Sequence, residues 1–161
     1  MEPELREIAR KMVRQRAAQA EFSQSEQGEA THFAHAAARV LEALSVNQVK
    51  RCGEDLIDLI DREVPVAALH KLTNREKPSV AEMRAVARQL AAKRAVPTQL
   101  DSVFAWVGEL FGLDSAEVTI LSIFARWGKF DCWRELVRRA PISCSNLTPS
   151  AVAQLSGLAG N

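Results

Sequence analysis

The chain has 161 residues, 47% hydrophobic and 25% charged, with a net charge of +1. That balance excludes a disordered tail, gives no bulk attraction to nucleic acid, and leaves no apolar run near the roughly 18 residues of a membrane span. Three cysteines are too few and odd in number for a disulfide framework, and the first thirty residues are charged throughout, so a cytoplasmic protein without a signal peptide is expected.

In chain order the signals are helical. Pro3 opens a first helix, with Glu2, Glu4 and Glu7 near its start, Leu5, Ile8, Met12 and Val13 on its apolar side, and an end near Glu21. Residues 22–29 are polar, contain Gly28 and read as a loop. Thr31 caps a second helix through Val40 to Leu44. Ser45 caps a third with Val46, Val49, Cys52, Leu56, Leu59 and Ile60 inward, and Gly53 is its weak point. Pro65 interrupts, and a short segment through Leu69 and Leu72 follows. Ser79 and Glu82 form a capping box for the next helix, which Pro97 ends.

The later part is the most regular. Thr98 with Asp101 opens a helix through Val103, Phe104, Val107, Leu110 and Phe111, and Gly112 closes it as a left-handed cap. Asp114 with Glu117 opens another, closed by Gly128. Asp131 caps a short helix stopped by Pro141. Thr148 caps a last one, with Pro149 at its first position. The fold class predicted is all-α, about eight short helices, with at most a small wing-like strand near Ile142. Phe104, Val107, Leu110, Leu121, Phe124 and Trp127 are expected to pack together as a core.

Charge is uneven. Residues 1–100 carry 16 Lys/Arg and 14 Asp/Glu, whereas residues 101–161 carry 5 and 6 and hold all three tryptophans. A charged, Ala-rich helical region over 1–97 is therefore expected to join a better-packed region over 98–161.

Catalytic chemistry finds little support. Gly128-Lys129 is followed by Phe130, and a phosphate loop would need Ser or Thr there and an earlier glycine. His32 and His35 lie three apart on one helix. Such a pair binds metal when a third ligand converges, and Glu29 and Glu42 are near in sequence. A partly exposed helix start is the plainer reading. Cys52, Cys132 and Cys144 lack the close pairing of a zinc site, and Cys132 beside Trp133 reads as a core residue.

Two charged stripes and one chain end are candidate partner-binding features. Arg6, Arg10 and Arg14 repeat every four residues, although Glu4 and Glu7 partly cancel them. Glu54, Asp58 and Asp61 share one helix face. Both stripes also suit a solvated outer face. At the end, Thr148 to Leu158 runs from a helix cap into Gly157. Ala153 stands four residues earlier, as the close crossing and left-handed turn of a helix-turn-helix require. The second helix would begin after Leu158, so a longer parent protein is expected, and Val152, Leu155 and Leu158 would lack its cover.

The stretch Phe111-Gly-Leu-Asp-Ser-Ala-Glu-Val-Thr-Ile-Leu-Ser-Ile-Phe-Ala-Arg-Trp, with Phe130-Asp131 and the closing Thr148 to Leu158 segment, resembles the helical, winged-helix-like region that precedes the ATPase module in a group of bacterial AAA-family proteins. It covers roughly residues 98–161. The resemblance implies a non-catalytic, amino-terminal interaction or regulatory domain, with ATP and magnesium handled by a module beyond this chain and no cofactor within it. A protein partner or the rest of its own polypeptide is expected, with a homo-oligomer also open. The alternative is a DNA-binding regulator whose recognition helix follows Asn161. The near-zero net charge weighs against it, because duplex binding rests on many Lys/Arg contacts.

Overall fold

A computed structural model describes residues 26–64, 77–141 and 148–158. The described residues are all-helical, with seven helices and no strand among them. They are α1 (26–43), α2 (Val46–Glu63), α3 (Val80–Ala91), α4 (Gln99–Phe111), α5 (Ser115–Lys129), α6 (Asp131–Arg139) and α7 (Pro149–Ser156). The helix expected from Pro3, the segment through Leu69 and Leu72, and the wing near Ile142 lie outside the described residues, as does any helix after Leu158.

Local chemistry sets most boundaries. At the start of α2 the Gln48 amide donates to Ser45 Oγ at 3.3 Å, and the Ser45 amide donates to Gln48 Oε1 at 2.8 Å. The same reciprocal box opens α3 (Ser79 and Glu82), α4 (Thr98 and Asp101) and α5 (Asp114 and Glu117). Each box satisfies two backbone donors that a helix start leaves orphaned. Gly112 (φ 65°) and Gly157 (φ 74°) end α4 and α7 in the left-handed region that glycine enters without strain.

Five local expectations need correcting. The helix is already formed at residue 26, so residues 26–29 are not loop, and Thr31 is inside α1, its Oγ1 donating to Gln27 O at 2.9 Å. Gly28 is buried there because a Cβ would stand 2.6 Å from Thr98 Cγ2 and 2.8 Å from Val96 O. Gly128 does not end α5, which continues to Lys129. Phe130 is both its C-cap and the N-cap of α6, leaving Asp131 as the first residue of that helix rather than its cap. Gly53 is less a weak point than a crossing: Met83 Sδ lies 2.7 Å from where its Cβ would be, so α2 and α3 approach closely.

The core is built around the alanine-rich α1. Phe33, Val40 and Leu41 of α1 are buried with Leu56, Ile57, Leu59 and Ile60 of α2, Met83 and Leu90 of α3, Ile123 of α5, Trp133, Leu136 and Val137 of α6, and Leu155 of α7. Small residues at 34 and 36–38 let neighbours sit close to the α1 backbone. The Phe33 and Trp133 rings meet edge-on, centroids 6.2 Å apart, a favourable aromatic geometry. Helix α2 packs on α3 and α6, and α5 packs on α4, α6 and α7. Core residues come from both sides of Pro97.

Candidate functional site

The α4–α5 hairpin is fastened to α1 by a part-buried ionic network centred on a buried arginine. Arg126 of α5, only 2% exposed, donates from Nε to Glu29 Oε2 at 2.8 Å and from Nη2 to Asp101 Oδ1 at 2.8 Å. The same Nη2 reaches Thr98 Oγ1 at 3.3 Å. His32 Nε2 meets Asp101 Oδ2 at 2.7 Å. Asp101 also accepts from the Thr98 amide at 2.9 Å as part of the α4 capping box. One carboxylate thus serves a helix start and joins three helices. Burial pushes the Asp101 carboxyl up, but the bonds from Arg126, the Thr98 amide and His32 outweigh it, and its pKa lies below the ordinary value.

His32, Asp101 and Arg126 border a cavity of about 390 Å³ that also meets Arg39, Phe104, Ser122 and Trp133. His35 borders it too, its Nε2 spent on the Lys93 carbonyl at 2.7 Å. Glu29 is committed to Arg126, and no group of three His, Cys, Asp or Glu able to hold a metal occurs among the described residues.

The other side of the hairpin is different. Its two helices cross tightly where Gly108 meets Val118, whose Cγ2 would stand 2.7 Å from an added Cβ. Away from that crossing Val103, Trp106, Leu110 and Phe111 of α4 and Leu121 and Phe124 of α5 are exposed, and none borders the 390 Å³ cavity. Trp106 is 61% exposed and Phe111 69%. Val103, Trp106 and Leu110 recur at helical spacing, so they form a stripe along α4. The expected core of the later half is therefore corrected. Phe104, Val107 and Trp127 are half-buried, but Leu110, Leu121 and Phe124 are exposed, because the apolar positions of α4 and α5 are more than the one face that each helix packs inward.

No family model matches the chain, and no curated protein or solved structure is found similar to it. The site must be read from its own geometry.

The sequence-selected residues fall into three groups. Arg6, Arg10 and Arg14 lie outside the described residues. Glu54 and Asp58 are exposed on α2 and Asp61 is half-buried, on a different helix from the hairpin face. Val152 and Leu155 are corrected. Both are buried against the chain's own helices, where Arg39 Nη1 donates to Leu155 O at 2.8 Å, so neither lacks cover. Leu158 alone of the three is exposed, at 39%. Cys132 borders a second cavity of about 550 Å³. Burial and then the charge of Glu63 push its thiol up to about 11, far from a reactive thiolate.

Two signals in the sequence pointed to this site. Apolar residues at 100, 103, 104, 106, 107, 110 and 111 pass well beyond one stripe of α4, more than a single core face needs. Also, no Lys or Arg occurs between Arg94 and Arg126, whereas Asp101, Glu109, Asp114 and Glu117 all do.

Proposed function

We propose that this chain is a non-catalytic interaction domain that docks a protein partner, or another part of its own polypeptide, on the apolar face of α4 and α5. The observation that carries the reading is the exposure of Trp106, Leu110 and Phe111 on α4 and of Leu121 and Phe124 on α5, all on one hairpin. A contiguous exposed apolar surface rimmed by polar groups marks an interaction site, and aromatic side chains dominate binding energy at such sites. Burying each one contributes roughly 1.5–3 kcal/mol before the costs of association. The Arg126 network supports the same reading, since it fixes the hairpin on α1 without using that face.

The likeness of residues 98–161 to the helical region that precedes AAA-family ATPase modules supports a regulatory role beside such a module in a bacterial cytoplasm. ATP and magnesium would then be handled outside this chain. The acidic character of the hairpin argues against duplex DNA as the ligand, because phosphates would be repelled.

Native mass spectrometry of the protein gently purified from its own cells tests the proposal. A stoichiometric protein adduct, or a defined homo-oligomer, is expected. It should be lost in Trp106→Ser/Leu110→Ser and kept in the control Glu54→Ser/Asp58→Ser. Equal retention by both variants, or tight duplex binding that weakens steeply with salt, would contradict it.

A further inference from the structure

We infer that the cavity of about 550 Å³ bounded by α1, α4 and the α5–α6 junction binds a small organic cation, a primary amine with an aromatic or branched apolar body. The site goes beyond the docking face, with which it shares only Val103, and stands whether or not that face holds a partner. Three observations carry it.

The first is the cavity itself. Its volume lies within the roughly 300–1,000 Å³ of small-molecule pockets and exceeds that of the cavity beside Arg126. Three aromatic rings, Phe33, Phe130 and Trp133, line it together with Leu100. Phe33 and Trp133 are buried and meet edge-on, so the core fixes this wall. In such an apolar pocket a few polar groups orient the ligand and select its charge.

The second is that charge. Glu26, Glu29 and Glu63 border the cavity, and Lys129 is the one base that does so among the described residues. Glu29 is already held by Arg126. Among the described residues no Lys, Arg or His pairs with Glu26 or Glu63. With Lys129 set against one of these two, the cavity keeps an excess of one negative charge. Its lining feels that field: after burial, the charge of Glu63 is the next cause that raises the Cys132 thiol. A primary ammonium brings three donors to carboxylates placed this way.

The third is an ammonium already seated here. Lys129 Nζ lies 5.4 Å from the centroid of the Phe130 ring, a cation–π distance. That ring face attracts positive charge, and a neutral or anionic ligand of the same shape gains nothing from it. The 390 Å³ cavity offers no such opening, because His32 is spent on Asp101, His35 on the Lys93 carbonyl and Arg39 on the Leu155 carbonyl.

The test is a two-dimensional NMR titration of the full chain with phenethylamine near neutral pH, set beside phenethyl alcohol and hydrocinnamate. Saturable shifts are expected at the amides of the first turn of α4 and of Phe130 to Trp133. The amine should bind at least about tenfold tighter than the alcohol, and hydrocinnamate should not bind. Glu26→Gln/Glu63→Gln should weaken the amine at least about fivefold and leave the alcohol unchanged, which also shows that the variant is folded. Trp106→Ser/Leu110→Ser, which removes two side chains of the docking stripe, should bind the amine as the wild type does, so the two readings fail separately. An amine that does not bind, that binds no better than the alcohol, or that keeps its advantage in the double glutamine variant would overturn the inference. Shifts confined to the His32 and Ser122 side of the molecule would overturn it too.

Discussion

Gly28 and Gly128 both sit inside helices, yet a methyl group should move them in opposite directions. At Gly28 it would press on the Val96 carbonyl and Thr98, which begin α4, so Gly28→Ala should destabilise by about 1–3 kcal/mol. At Gly128 nothing lies within 4 Å, and Gly128→Ala should stabilise by up to about 1 kcal/mol through helix propensity. Urea unfolding of the two variants checks both signs. Arg126→Met would leave Glu29 and Asp101 without their shared cation. Because both acids keep some contact with solvent, a loss near about 3 kcal/mol, the low end for a broken buried pair, is expected. Asp101 also predicts a pH signature. Its folded pKa is depressed, so its contribution is complete above the ordinary value of 3.8 and is lost as pH falls through the lower folded value. The stability gap between the wild type and Asp101→Asn should therefore narrow as pH falls from above the ordinary value of 3.8 to below it, and a gap that stays constant would show that the carboxylate is not held by these partners.

Among the elements, helix starts were legible in the sequence and helix environments were not. Ser45, Ser79, Thr98 and Asp114 cap their helices through bonds made within three residues, so local sequence suffices to find them. The course of α1 past Gly28 was hidden because that glycine is justified by Val96 and Thr98, some seventy residues away in sequence. Periodicity located the apolar stripes of α4, α5 and α7 but could not say which neighbour covers them. It therefore placed Phe124 inside and Leu155 outside, the reverse of what is found. Leu155→Ala should accordingly cost about 2–5 kcal/mol, as a buried leucine does. Leu158→Ser should change stability by no more than about 0.5 kcal/mol. Thermal unfolding of the pair checks the orientation of α7, and equal small losses would mean that α7 is not packed.

On the scale of the molecule, an all-helical architecture followed from composition and caps. The single core drawn from α1, α2, α3, α5, α6 and α7 did not, since it depends on contacts across the Pro97 boundary. The candidate site was partly legible: the excess of apolar positions on α4 and the missing bases from 95 to 125 are visible in the chain. The Arg126 network was not, because Glu29, His32, Asp101 and Arg126 come together only through the fold. The central claim is that Trp106 and its neighbours serve an encounter and are surplus to the fold. Urea unfolding of the purified Trp106→Ser/Leu110→Ser protein, set beside Leu136→Ala, tests it most directly. Leu136 is fully buried, so its truncation should cost about 2–5 kcal/mol. The double surface variant should lose no more than about 1 kcal/mol. A loss as large as that of Leu136→Ala would contradict the claim and place these side chains in the core.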